Sequence, residues 1–296
     1  MQEKILLFLQ EQANPFWDAL FHFFSFLGEP LIYMLILSWL IWNGSKKKGF
    51  AFSFVLMFSV LVNLVLKMIF RHPRPFQVVE GVDGKRLSTA GGYSFPSGHT
   101  QNAATFYFSL YARSGKIWIL PIVSVIVLMI GLSRLYLGVH WPQDVAVGLI
   151  LGILFPLLLF KPFCRIYEVK RHRLIFLAVT AVGSFVLGIG CYAASFFLPA
   201  DFDWGDIHKF TLMTTGLAVG YLAEMLFGEF STDGTLKIKI LRYLLGLIPV
   251  AAVYLGIKFL LPDFAWFDMV RYFLVGLTAT GLVPQIGKKM KLFGAD

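Results

Sequence analysis

Long apolar runs alternate with short polar loops from one end of the chain to the other. A helix needs about 20 apolar residues to cross the hydrocarbon core of a bilayer, so runs of this length predict membrane-spanning helices. An aromatic-rich stretch at 16–27 is broken by Gly28-Glu29-Pro30, which predicts an interfacial helix or half-span leading into a first crossing that ends near Trp42. The uninterrupted run from Leu31 is short for a full span, which leaves the orientation of the N-terminus open. Further crossings are expected over 50–70, 96–112, 117–137 and 144–160, and four more over 174–198, 209–227, 242–261 and 269–287. The expected fold class is all-α, a polytopic transmembrane helical bundle.

The polar loops divide by charge. Lys46, Lys47, Lys48, Arg113, Lys116, Lys161, Arg165, Lys170, Arg171 and Arg173 mark one side as cytoplasmic, as do Lys237, Lys239, Arg242, Lys288, Lys289 and Lys291. Asp201, Asp203, Asp206, Asp263 and Asp268 fall in the opposite loops, and Trp141, Trp204 and Trp266 at predicted outer boundaries, where interfacial aromatics belong. Composition agrees: 57% of residues are hydrophobic and 15% charged, far from the balance of a soluble domain. The net charge of +9 sits in short loops between apolar spans, which argues for the positive-inside pattern and against a nucleic-acid partner. No cleavage site of small residues follows the short apolar run at 5–9, so a removable signal peptide is not expected. Cys164 and Cys191 are not placed for a disulfide, and a buried thiol is expected for Cys191.

Three polar clusters interrupt this pattern, and all lie in the first 160 residues. The first is Lys67 at the outer end of the second crossing with Arg74-Pro75 seven residues later. The second is Pro96-Ser97-Gly98-His99, a flexible polar tetrapeptide between two apolar segments. Proline at a helix start leaves free N–H groups that attract anions, and glycine lets backbone approach a ligand. The third runs from Ser133-Arg134 to His140, Trp141, Pro142 and Asp144. Arg134 lies inside an otherwise apolar crossing, where an unpaired cation is costly. Pro142 again suits a helix start and brings Asp144 close to His140, whose tautomer a carboxylate can fix. The clusters reach one membrane face and together describe a phosphate site. Arginines and an amide-lined helix start suit a phosphoryl group, one histidine can attack phosphorus, and the other can protonate the leaving oxygen.

These residues spell Lys-x6-Arg-Pro, Pro-Ser-Gly-His and Ser-Arg-x5-His-x3-Asp, complete and in order, and in this the chain resembles the type 2 phosphatidic acid phosphatase superfamily. The resemblance covers about residues 60–150. It implies His140 as a nucleophile forming a phosphohistidine, Asp144 orienting it, His99 as general acid, and Lys67, Arg74, Ser97, Gly98 and Arg134 as phosphate ligands. It also implies a reaction without metal or other cofactor, which fits the absence of a carboxylate cluster. Ser133 is expected to be structural. Arg71, His72, Lys85 and Arg86 add charge to the same loop, either as a solvated face or as contacts to a second phosphate or headgroup. Glu168, Glu224 and His208 are expected to be paired or interfacial.

The expectation is a catalytic membrane domain of this kind over 1–160 and about four additional transmembrane helices over 161–296, whose role the sequence leaves open. The implied partners are membrane lipids and a lipid phosphate or polyprenyl diphosphate substrate, with oligomeric state open. The implied place is a bacterial-type inner membrane with the site on the extracytoplasmic face. Phosphate transfer to another acceptor and lipid transport or binding are the alternative functions.

Overall fold

A computed structural model describes residues 1–198, 202, 204, 206–262 and 264–295, so Asp201, Asp203 and Asp263 lie outside the described residues. The described chain is helical: α1 (Gln2–Glu11), α2 (Pro15–Leu27), α3 (Pro30–Asn43), α4 (Lys46–Phe70), α5 (Pro75–Val78), α6 (Gly98–Ser114), α7 (Ile119–Tyr136) and α8 (Pro142–Glu168) come first. They are followed by α9 (Lys170–Ala194), α10 (Ile207–Phe227), α11 (Leu236–Leu260), α12 (Ala265–Leu277), a π-helical turn over Thr278–Leu282, and α13 (Val283–Lys289). Two short strands, β1 (Phe230–Ser231) and β2 (Gly294–Ala295), pair antiparallel. Seven helical stretches among the described residues are long and apolar enough to cross a membrane, or up to eight with the pair α2 and α3, which is bent by 43°. The protein is a polytopic helical integral membrane protein.

Local chemistry sets several of the boundaries. The Asn14 side chain accepts from the N–H groups of Phe16 and Trp17, and Pro15 opens α2 at a position that needs no donor. Pro30 then restarts the helix after Gly28-Glu29, which is why 16–42 forms two segments. Pro142 opens α8 as the sequence predicts, but α6 begins after its proline, with Ser97 as cap and its side chain accepting from Thr100 N–H. The run expected to end at residue 160 continues as α8 to Glu168, because helical geometry carries on through Lys161 and Arg165.

The chain forms two compact units. One is built mainly from Met1–Met34 and Val55–Lys161, the other from Leu35–Phe54 and most of the chain after Pro162. In the first, α1 lies at the end of the unit that carries the loop between α5 and α6. Gln10 donates to Asp83 O at 2.7 Å and Gln2 to Gln143 at 3.0 Å. The N-terminus therefore sits on the same side as that loop, the point left open by the sequence. Helix α8 meets α6 through Gly148 and Gly152, where a Cβ would collide with the carbonyls of Ser97 and Gln101. Trp141 is buried against Leu6, Val82 and Leu135 instead of facing lipid headgroups, and its indole N–H donates to Pro73 O at 2.9 Å.

In the second unit Phe50, Phe54, Leu177, Ala181, Ala218 and Tyr221 form a core. Helices α10 and α12 approach closely at Gly216 and Gly276. Arg242 is buried and donates to the carbonyls of Trp42, Thr232, Asp233 and Leu292. Glu224 pairs with Lys46 at 2.5 Å and Glu168 with Lys47 at 2.6 Å. Both cysteines are free thiols, and Cys191 is only partly buried.

Candidate active site

The site of the first unit grows from five helix ends. At the end of α4, Lys67 Nζ donates to the carbonyls of Tyr93 and Ser94, the latter at 3.2 Å. Arg74 stands just before α5, where its N–H is held by Gln77 Oε1 at 2.8 Å. Its guanidinium uses every edge: Nε donates to Gly92 O at 3.0 Å, Nη2 to Gly91 O at 2.6 Å, and Nη1 to Val139 O at 2.9 Å. The same Nη1 lies 3.2 Å from His140 Nε2.

Helix α6 starts against α4. Gly98 makes this approach close, since a Cβ would stand 3.0 Å from Asn63 Oδ1. A buried ladder ties the two helices: Asn63 donates to Gln101 at 2.9 Å, Gln101 to Ser59 O at 2.8 Å, and Ser59 shares a 2.8 Å bond with Thr105. Ser97 N–H donates to Asp144 O at 3.0 Å, which joins the starts of α6 and α8. His99, one residue into α6, has a buried Nε2 with no hydrogen-bond partner among the described residues. Gly28, at the break between α2 and α3, lies over the His99 ring.

Arg134, near the end of α7, is fully buried. It has no carboxylate contact within ion-pair range among the described residues. Its Nη1 donates to Ser25 Oγ of α2 at 2.6 Å and its Nη2 to Thr89 Oγ1 at 3.5 Å. His140 is 2% exposed, in the turn between α7 and α8. Its Nδ1 lies 3.3 Å from Asp144 Oδ2 and 3.4 Å from Ser94 Oγ. That same Oδ2 accepts from Ser94 Oγ at 2.5 Å and from Trp141 N–H at 2.9 Å. Burial first, then the charges of Arg74, Lys67 and Arg134, push the His140 imidazole well below its ordinary range, so it is neutral at pH 7.

Chemically, this is a neutral imidazole between a carboxylate and a guanidinium, with a lysine, a second arginine, a helix start and a second histidine around it. The proton on Nδ1 faces Asp144, and the lone pair of Nε2 faces Arg74. All eight side chains or backbone positions singled out in the sequence belong to this region. Ser133 donates to Ile130 O at 2.6 Å inside its own helix. Among the described residues no three histidine, cysteine or carboxylate side chains are grouped so as to hold a metal ion.

Of the additional loop cations Arg71 is exposed, whereas Lys85 and Arg86 are partly buried and paired. Lys85 pairs with Asp18 at 2.5 Å, and Arg86 pairs with Glu29 and donates to His22 O at 2.7 Å, so both fasten the loop to α2. Arg71 donates to Met68 O at 3.0 Å and stacks on Phe202, while the His72 ring contacts Trp141. Sequence reasoning missed Ser25, Asn63, Ser94 and Gln101. A signal was present: Ser59, Asn63 and Lys67 recur every fourth residue in an apolar helix, as do Ser97, Gln101 and Thr105, which places each set along one helix face.

Residues 48–163 match the model of the PAP2 superfamily, and residues 210–295 match that of the PAP2 superfamily phosphatase transmembrane extension. The undecaprenyl-diphosphatase of Sulfolobus acidocaldarius is 30% identical over 46% of this chain and 65% of its own length. The phosphatidylglycerophosphatase B of Bacillus subtilis is 35% identical over 38% of this chain and 55% of its own. This chain thus spans less than two thirds of either relative. Among solved structures, Aquifex aeolicus LpxE is 28% identical, covering 53% of this chain and 93% of that one with a TM-score of 0.47. The stretch that holds the site is a PAP2 superfamily domain, the stretch after it carries that superfamily's transmembrane extension, and the chain belongs to the PAP2 superfamily.

Proposed function

We propose that the protein is a lipid phosphatase that removes the terminal phosphate of a lipid phosphate or polyprenyl diphosphate through a phosphohistidine on His140. The observation that carries this reading is the placement of His140. Its Nδ1 is held by Asp144 Oδ2 at 3.3 Å while its Nε2 meets the Arg74 guanidinium at 3.2 Å. A neutral imidazole with Nδ1 protonated has its lone pair on Nε2, the atom that faces the cations a phosphate would bind.

In the first step Nε2 attacks phosphorus and the bond from phosphorus to the leaving oxygen breaks. His99, buried among cations and able to hold a proton once the anionic phosphate is bound beside it, gives that proton to the leaving oxygen. Lys67, Arg74, Arg134 and the N–H groups at the start of α6 hold the equatorial oxygens as charge builds on them. Asp144 stabilises the imidazole as it becomes cationic. In the second step water attacks phosphorus, neutral His99 takes its proton, the bond from nitrogen to phosphorus breaks, and phosphate leaves with His140 restored. We place this chemistry within residues 1–160, with 161–296 as a supporting membrane region. In the first unit, α6 and α8 start at the site and run toward Arg113 and Lys161, and this charge distribution supports a site on the extracytoplasmic face. The relatives named for undecaprenyl diphosphate and phosphatidylglycerophosphate support a lipid substrate in the same chemical class.

The test is phosphate release by the purified protein in detergent, from phosphatidic acid, phosphatidylglycerol phosphate and polyprenyl diphosphates, with EDTA present. The wild type is expected to release phosphate, and His140→Ala to lose at least about 10³-fold in kcat, as removal of a nucleophile does. A folded His140→Ala protein with wild-type release would overturn the mechanism. A labelled lipid that passes its phosphate to an organic acceptor instead of water would replace hydrolysis by transfer.

A further inference from the structure

We infer that Ser94 is a positioning residue for the reaction, holding the Asp144 and His140 pair through its hydroxyl. The inference rests on the reading of His140 as nucleophile and adds a residue outside the three-part signature. Ser94 is fully buried in the stretch that leads into α6. Its backbone is fixed from both sides, by its N–H to His72 O at 2.8 Å and by its carbonyl, which accepts from Lys67 at 3.2 Å. The hydroxyl is therefore delivered to one place.

A carboxylate has no proton to give, so in the 2.5 Å bond Ser94 Oγ is the donor and Asp144 Oδ2 the acceptor. The hydroxyl proton being spent there, the oxygen's lone pairs face His140 Nδ1 at 3.4 Å. The Nδ1 proton is thus shared between Asp144 Oδ2 and Ser94 Oγ, and only the tautomer protonated on Nδ1 satisfies both. Ser94 acts twice: it fixes the carboxylate that holds the imidazole, and it offers that imidazole a second acceptor. Asp144 is fully buried and its Oδ1 has no partner among the described residues, so the hydrogen bonds its charge receives are all made at Oδ2. Of the donors on Oδ2, Ser94 Oγ makes the shortest contact. Taking it away leaves a buried carboxylate short of donors, the situation in which an ionised group becomes costly to keep.

Ser94→Ala removes the hydroxyl and leaves both backbone bonds. The expected result is a fall in kcat of about 10- to 100-fold, the usual effect of losing a group that orients a functional histidine. KM for the lipid and inhibition by inorganic phosphate are expected to stay at wild-type values, because Lys67, Arg74 and Arg134 are untouched. Single-turnover experiments with labelled lipid are expected to show slowed formation of the acid-labile phosphoenzyme. Ser94→Thr, which keeps the hydroxyl, is expected to recover most of the rate. Ser94→Cys, with a weaker donor, is expected to fall between the two, and gives the same reading if Ser94→Ala does not fold.

Wild-type kcat in Ser94→Ala, with His140→Ala inactive, would remove Ser94 from the reaction and leave the nucleophile standing. Equal impairment of Ser94→Ala and a folded Ser94→Thr would show that packing matters and the hydroxyl does not. Activity in His140→Ala would overturn the underlying reading and this inference with it.

Discussion

At the residue scale, the site depends on one guanidinium meeting several backbone carbonyls and a histidine at once. Arg74 donates to the carbonyls of Gly91, Gly92 and Val139 and lies against His140 Nε2. A lysine is a point charge on a flexible stem and cannot present a fork of fixed donors. Arg74→Lys is therefore expected to lower kcat/KM by about 10²–10³-fold, the range for losing one preorganised donor to a developing oxyanion. Unchanged kcat/KM in a folded variant would show that charge alone suffices. The same surroundings set a pH dependence. His140 is faced by Arg74 from the α5 side, Lys67 from α4, Arg134 from α7, His99 from α6 and Asp144 from α8. Its pKa is depressed, so the protonated, non-nucleophilic form appears only below the ordinary histidine value of about 6.5. The acid limb of kcat/KM assigned to His140 is expected below that value, and a limb above it that vanished in no other variant would contradict this. Residues such as His140 and Asp144 were legible in the sequence because four-residue spacing on a helix start brings them together locally. Ser94 was not, because its partner Asp144 is 50 positions away and nothing short-range connects them.

At the scale of helices, the site is held by two kinds of contact between apolar spans. One is the polar ladder of Ser59, Asn63, Gln101 and Thr105 between α4 and α6. The other is the close approach of α8 to α6 at Gly148 and Gly152. Without water to drive association, membrane helices rely on such packing and interhelical hydrogen bonds. At Gly152 the obstacle to a side chain is backbone, the Gln101 carbonyl, which cannot rotate away. Gly152→Val is therefore expected to cost about 1–3 kcal/mol of stability, as overpacking does. Thermal unfolding in detergent measures this, and an unchanged midpoint would show that α8 shifts freely. Most spans were legible from apolar length, to within a few residues at most ends, but α6, expected as a crossing over 96–112, has 17 residues and is not among the helices long and apolar enough to cross a membrane. The break between α2 and α3 was legible as Gly28-Glu29-Pro30. What α2 and the break after it do was not: Asp18, Ser25 and Glu29 reach Lys85, Arg134 and Arg86, partners 57 to 109 positions away that only the folded bundle brings near. The fourfold polar spacing within α4 and α6 was visible but masked by the apolar residues around it.

For the whole molecule, chemistry and packing divide the chain differently. The three polar clusters that form the candidate site fall before residue 160, and the sequence shows only that boundary. Packing assigns Leu35–Phe54 to the second compact unit. There Trp42 donates to Ala279 O at 2.8 Å, Phe50 and Phe54 pack with Leu177 and Tyr221, and Lys46 pairs with buried Glu224. A chain cut after Lys161 would keep Lys46, Trp42, Phe50 and Phe54 but lose all of these partners. Breaking a buried pair by deleting one member costs about 3–5 kcal/mol, so the cut chain is expected to unfold at a clearly lower temperature than the full chain. The site side chains and their supports Ser25, Asn63, Ser94 and Gln101 all lie in the first unit. The fraction that remains folded is therefore expected to keep phosphate release from a short-chain, water-soluble lipid phosphate. Measuring midpoint and activity per folded molecule separates the two effects. An unchanged midpoint would mean that Leu35–Phe54 does not depend on the extension. A folded but inactive cut chain would mean that residues beyond 161 act in the reaction itself, and the extension would then have to be read as part of the catalytic machinery.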